Sequence, residues 1–363
     1  MCKVCSLDNS WAEAFGQQML DVINHGALAL MLSLGHRTGL FDAMSELPPA
    51  DSQTLADAAG LNERYVREWL GAMVSGRIVT VQRDETTVPE KVLYHLPNEH
   101  AAALTRTAGS DNIGVFAQYI PLLGYVEDEI VQCFRQGGGV SYDQYNRFHE
   151  VMVEDSGLAV VSSLLVDVLP LVPDMLDRLK EGIHVLDVGC GSGKALNLLA
   201  EHFPNSCFMG YDLCAEPLVA AHQEAMMMGL DNVHFVQQDL TDFDITTQFD
   251  FITAFDAIHD QARPDKVLKG IYNSLKEDGK FLMVDVNASS RVEENIDHPL
   301  GTLLYTVSTM HCMSVSLAQG GMGLGAMWGR EKAVEMLKEA GFSKIKEHIL
   351  EQDIQNRYFI ISK

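Results

Sequence analysis

Val185-Leu-Asp-Val-Gly-Cys-Gly-Ser-Gly-Lys194 is the stretch on which the reading of this chain turns. The apolar run "IHVLDVG" reads as a buried strand, and "KALNLLAEHF" after the glycines reads as a helix. Between them Gly189, Gly191 and Gly193 make a turn where backbone approaches a ligand closely, because no Cβ intervenes. Strand, glycine turn and helix N-terminus together form a cofactor cradle at the carboxyl end of a parallel sheet. The expected class is therefore α/β.

Glycine spacing narrows the cofactor. A dinucleotide fingerprint needs Gly-x-Gly-x-x-Gly/Ala, yet counting from Gly189 or Gly191 puts Lys194 or Leu196 at the third position. A phosphate-binding P-loop ends Gly-Lys-Ser/Thr, whereas Ala195 follows Lys194 and Val188 replaces the leading glycine. What stands is Asp187-x-Gly189-x-Gly191-x-Gly193. Two further acids follow at strand ends: "CFMGYDL" closes at Asp212, 19 residues past Gly193, and "VHFVQQDL" closes at Asp239. This series resembles the first motifs of class I S-adenosylmethionine (SAM)-dependent methyltransferases. The resemblance implies a Rossmann-like seven-stranded sheet, with SAM held by Asp187, Gly189, Gly191 and Gly193. It puts Asp212 and Leu213 by the ribose, Asp239 and Leu240 by the adenine, and Phe255, Asp256 and Tyr142 elsewhere around the cofactor.

At 363 residues the chain has room for two domains. Its 26 Lys/Arg stand against 50 Asp/Glu, a formal charge of −24, and such a surface repels nucleic-acid phosphates and anionic membranes. No apolar stretch is long enough to span a bilayer, since the best, "GLAVVSSLLVDVLPLV", carries Asp167 and Pro170. The first residues, "MCKVCSLDNSW", lack the apolar core of a signal peptide. Seven scattered cysteines make no disulfide framework, and Cys2-x-x-Cys5 lacks a second ligand pair for zinc. A soluble, cytoplasmic protein with no bound metal is expected.

Residues 11 to 47 carry helical periodicity that Pro48-Pro49 stops. Asp51 or Ser52 then caps a short helix, Gly60 breaks it, and Asn62 caps a second helix through Val74. "RIVTVQR" and "KVLYHL" flank the polar "DETTVPE" as a hairpin, so residues 1–105 read as a winged-helix domain. Its second helix carries Arg64 and Arg67 but also Glu63 and Glu68, and residues 1–110 hold 8 Lys/Arg against 13 Asp/Glu. A duplex reader wants the opposite sign. Winged helices of this character precede the catalytic domain in plant-type small-molecule O-methyltransferases, where they pair subunits and help wall the substrate site. That branch implies a homodimer.

Residues 106–180 read as a mainly helical connector, and 181–363 as the SAM-binding domain, closing with "SKIKEHIL" and "NRYFIISK" as an antiparallel hairpin. In the connector, Gly137 to Gly139 precede Tyr142, Tyr145, Phe148 and Met152. In the resembling enzymes a comparable stretch covers the methionine end of the cofactor and touches the substrate. After "FDFITAF" comes Asp256-Ala-Ile-His259-Asp260-Gln261, which resembles the segment whose histidine is the general base. Gln261 stands where tryptophan is usual. The insert "HPLGTLLYTVSTMHCMSVSLAQGGMGLGAMWG" is rich in methionine and glycine, and Tyr305, His311 and Trp328 are its candidate substrate-wall residues.

The need for a base depends on the acceptor. A phenol, with a pKa of about 10, profits from an imidazole poised near neutrality, whereas a thiol at about 8.5 needs it less. The expected activity is methyl transfer to a small, partly apolar molecule, at oxygen by preference. Sulfur or nitrogen acceptors, a protein acceptor, and a SAM-binding regulator without turnover remain open, as does the less favoured winged-helix DNA binder.

Overall fold

The computed structural model of the protein describes residues 9–84, 91–157, 161–242 and 248–363. The Cys2/Cys5 pair and the tip of the expected hairpin lie outside the described residues. The chain divides into two compact units, Met1–Pro121 and Leu122–Lys363. Residues 122–180, most of the expected connector, thus cluster with the sheet.

The first unit opens with a long helix, Asn9–Arg37, followed by Leu40–Ser45, Ser52–Ala59 and Glu63–Ser75. The Asp51 side chain accepts from Thr54 N at 2.9 Å and caps the third of these, which ends at Gly60 in the left-handed region. Asn62 caps the fourth by accepting from Arg64 N. Strands β1 (Thr80–Asp84) and β2 (Lys91–His95) pair antiparallel. Phe41, Leu55, Leu70 and Met73 form the core, with the Trp69 ring against Phe41 and its Nε1 donating to Met31 O. Helix, turn, helix and hairpin are thus realised as the caps and breakers specify.

The second unit is built on a seven-stranded sheet: β3 (His184–Val188), β4 (Cys207–Asp212), β5 (Val233–Gln237), β6 (Phe249–Phe255), β7 (Leu275–Val286), β8 (Lys344–His348) and β9 (Asn356–Ser362). The spatial order is β5-β4-β3-β6-β7-β9-β8. All neighbours are parallel except β9, which runs antiparallel to both β7 and β8. The central strands are apolar on both faces because helices cover both. Val185 and Phe251 pack with Leu196, Leu199 and Phe208 on one side, while Leu186 and Ile252 pack with Leu268 and Met336 on the other.

The chain order reverses between β3 and β6, so their carboxyl ends open a crevice there. Within "GLAVVSSLLVDVLPLV", part of the connector read as mainly helical, the described residues from Leu164 on form a π-helical turn, Leu164–Val168, and a 3₁₀ turn, Leu169–Leu171, where Pro170 cannot supply a helical N–H. Among the described residues no helix is long and apolar enough to cross a membrane.

Candidate active site

The glycine turn is fixed by backbone and by one carboxylate. Gly189 N and Cys190 N both donate to Tyr211 O, and Gly191 N donates to Asp212 Oδ2 at 2.8 Å. Asp212 Oδ1 accepts from Cys214 N, so this acid ties the loops after β3 and β4 together. A Cβ on Gly193 (φ 68°) would lie 2.4 Å from the Phe235 ring and 2.8 Å from Ala221, so this glycine is required by packing. A Cβ on Gly191 (φ 51°) would meet nothing within 4 Å. The backbone of Gly191 therefore faces open space, the close-approach surface that a bound cofactor needs.

That space is a cavity of about 120 Å³ lined by Asp187, Gly189, Gly191, Met152, Phe255 and Asp256 among others. A larger cavity of about 650 Å³ is bounded by Tyr142, Tyr145, Phe148 and Leu213, and His149 lines both. Asp187 accepts from Thr253 Oγ1 at 2.7 Å, yet burial pushes its carboxyl up to about 7 against that hydrogen bond. Burial also raises Asp212, against the pull of its backbone donors. Asp239 lies two residues past β5 and is exposed, its Oδ1 accepting from Thr241 N and Oγ1. Leu240 is buried beside it.

His259 follows β6 and is 4% exposed. Its Nδ1 lies 2.8 Å from Asp285 Oδ1, in the last turns of β7. The same oxygen accepts from Trp328 Nε1 at 3.0 Å and from Val286 N at 2.8 Å. Burial by itself lowers the imidazole, but the Asp285 charge and the neighbouring Cys312 sulfur outweigh it and hold His259 well above its ordinary pKa. Asp256 stands beside this pair with a left-handed backbone (φ 49°). Its Oδ1 and Asp285 Oδ2 are both buried with no hydrogen-bond partner among the described residues. Asp260 receives the Tyr142 hydroxyl, which anchors the segment after the three glycines onto the His259 loop.

The insert contributes three residues, each in a different way. Within the π-helical turn Ser308–Cys312, His311 is 1% exposed and stacks on Phe148 with ring centroids 3.5 Å apart. Tyr145 and Tyr142 meet its ring edge-on at 4.7 and 5.3 Å. Burial lowers its pKa well below the ordinary value, so the ring is neutral. Trp328 is buried, and its Nε1 donates to Asp285 Oδ1. Tyr305 packs near Leu304 and Cys312, its hydroxyl accepting from Asn295.

Residues 26–106 match the family described as the Rv2258c-like winged HTH domain, and residues 179–341 match the family described as the methyltransferase domain. A putative O-methyltransferase from Nostoc punctiforme superposes with a TM-score of 0.70 over 96% of this chain and 98% of its own, at 20% identity. Human N-acetylserotonin methyltransferase, solved in complex with SAM, gives 0.67 over 99% of both chains at 16% identity. The tRNA (guanine-N(7)-)-methyltransferase of Chloroflexus aggregans is 41% identical over 54 residues, 15% of this chain and 24% of that one. Matches to the first curated relatives span about a quarter to a half of those proteins' lengths. With the acid-glycine turn, the strand order and the preceding winged helix, the chain carries a class I SAM-dependent methyltransferase domain behind a winged HTH domain and has the fold of the O-methyltransferase-like, winged-helix branch.

Proposed function

We propose that the protein transfers the methyl group of SAM to a hydroxyl on a small, partly apolar molecule, with His259 as general base. The carrying observation is the buried His259–Asp285 pair next to Asp256, which lines the glycine-turn cavity. The residues present suit the cofactor: the open face of Gly191, the Asp212 carboxylate with lone pairs left beyond its two backbone donors, and Met152, Phe255 and Asp256 around the same space. Tyr142 and Leu213 extend this wall, and Asp239 with Leu240 would flank the adenine. When bound, SAM supplies an electrophilic methyl on sulfur. The chain's own contributions are alignment, exclusion of water, and removal of the acceptor's proton.

Tyr145, Phe148, Met152, His311 and Tyr305 are proposed as the acceptor wall, and Trp328 as a support for Asp285. For sulfur or nitrogen acceptors the same site would need His259 less. The winged-helix unit is proposed to pair subunits instead of binding DNA. Arg64 and Arg67 are each bridged by an acid on their own helix, Glu68 and Glu63, which leaves little free positive charge for phosphate. Incubating the protein with isotopically labelled methyl-SAM and metabolite extracts tests the activity. Transfer to an extractable small molecule supports the reading. SAM binding without transfer to any acceptor would leave a regulator, and transfer only to polypeptide would overturn the acceptor class.

A further inference from the structure

The site next to His259 contains an unbalanced pair of carboxylates. Asp285 is 1% exposed, with Oδ1 saturated by three donors and Oδ2 bare. Asp256 Oδ1 is likewise buried and bare. A buried carboxylate oxygen without a partner is costly, and it is retained where a ligand completes it. The ligating atoms of Asp256, His259 and Asp285 lie within 4.8 Å of one another. An ammonium that donates two hydrogen bonds of about 2.8 Å at its tetrahedral angle spans about 4.6 Å between acceptors.

Resting on the methyltransferase reading above, we propose that Asp256 and Asp285 form the seat for a protonated amine on the methyl acceptor, so that the acceptor is an amine-bearing small molecule. The surroundings suit a cation. Asp285, Asp155 and Asp353 act on Asp256 with like charge, and Tyr142, Tyr145 and Phe148 line the larger cavity on the acceptor side. Burial and the Asp285 charge hold the Asp256 carboxyl well above its usual range, a cost that a bound ammonium offsets.

The test is binding to the full chain loaded with S-adenosylhomocysteine, using a library of aromatic amines paired with uncharged isosteres, such as tyramine against 4-propylphenol. Thermal shift and calorimetry are read for the wild type, for Asp256→Asn and for Asp285→Asn. At least one amine should bind tenfold or more tighter than its isostere, and Asp256→Asn and Asp285→Asn should each erase that preference, with wild type and variants compared at saturating S-adenosylhomocysteine. No amine preference in any pair overturns the proposal. So does a preference that survives both substitutions at saturating S-adenosylhomocysteine. A divalent cation (Mg²⁺, Mn²⁺ or Zn²⁺ alone) that stabilises the wild type but not the variants assigns the seat to a metal and also overturns it. Asp285→Asn provides a second variant if Asp256→Asn misfolds. The methyltransferase reading fails separately, through absence of SAM binding.

Discussion

His259 Nδ1 and Asp285 Oδ1 face each other across 2.8 Å in a dry site, and the carboxylate is itself held by Trp328 and by Val286 N. An acid held by three donors fixes the ring beside it, and in the proposed mechanism the other ring nitrogen, next to the Cys312 sulfur, takes the acceptor's proton. This geometry carries a kinetic expectation. His259→Ala should lower turnover on a hydroxyl acceptor by about 10²- to 10⁴-fold with SAM affinity nearly intact. A hydroxyl acceptor methylated at full rate by this variant would reduce His259 to a structural residue.

The same pair sets a pH dependence. A raised imidazole pKa means that the base form appears only as pH rises above the ordinary histidine range. The wild-type kcat/KM should therefore climb with pH through a midpoint above about 6.5. Asp285→Asn removes the counter-charge, so the midpoint should move down while the maximal rate falls. A pH profile with the same midpoint in both proteins would remove Asp285 from this role.

Much of this was legible in the sequence because local chemistry is strong there. The turn after β3, the caps at Asp51 and Asn62 and the breaker Gly60 each act within a few residues of themselves. Asp285 was also visible in principle: "FLMVDV" places one acid in an otherwise apolar strand, and a buried carboxylate must find partners. Its partner choice was not, because His259 and Trp328 come from other segments, 26 residues before it and 43 after it. His149, which lines both cavities, directly follows Phe148 and carries no motif of its own that would single it out.

The winged-helix unit exposes Trp11 (79%), Phe15 (60%) and Ile23 (68%) on its first helix. Apolar side chains at this density on one helix are expected to be covered by a second copy. Light scattering should give a dimer, and Phe15→Lys with Ile23→Lys should shift it toward monomer without unfolding the sheet domain. A wild-type monomer at micromolar concentration would set this aside, as would tight, salt-sensitive binding to duplex DNA.

The glycines of the turn should respond differently to alanine. At Gly193 the new methyl collides with Phe235 and Ala221, which belong to the core under β4 and β5. Gly193→Ala should thus cost about 2–5 kcal/mol, the sum of overpacking and left-handed strain. At Gly191 only the backbone strain remains, about 1–2 kcal/mol. Gly191→Ala should fold yet bind SAM poorly, because its methyl enters the cofactor's space. Denaturant titration and calorimetry on the two variants separate packing from binding, and equal SAM affinity in Gly191→Ala and wild type would move the cofactor elsewhere.

Asp187 gives a stability signature that needs no substrate. Its carboxyl is raised to about 7 by burial, so between its unfolded value of 3.8 and about 7 the folded chain holds a proton that the unfolded chain releases. Folding then binds protons in that window, and stability falls as pH rises through it. The raised carboxyls of Asp212, Asp256 and Asp260 push the same way, so the slope of the whole protein is not Asp187's alone. Asp187→Asn isolates it, since the amide keeps a hydrogen-bonding group toward Thr253 without a titrating charge. Denaturant unfolding from pH 4 to pH 8 should show a shallower decline in the variant, with the two curves converging at the acid end. Parallel curves over the whole range would mean that Asp187 is ionised throughout, and that Thr253 and nearby solvent suffice to hold its charge.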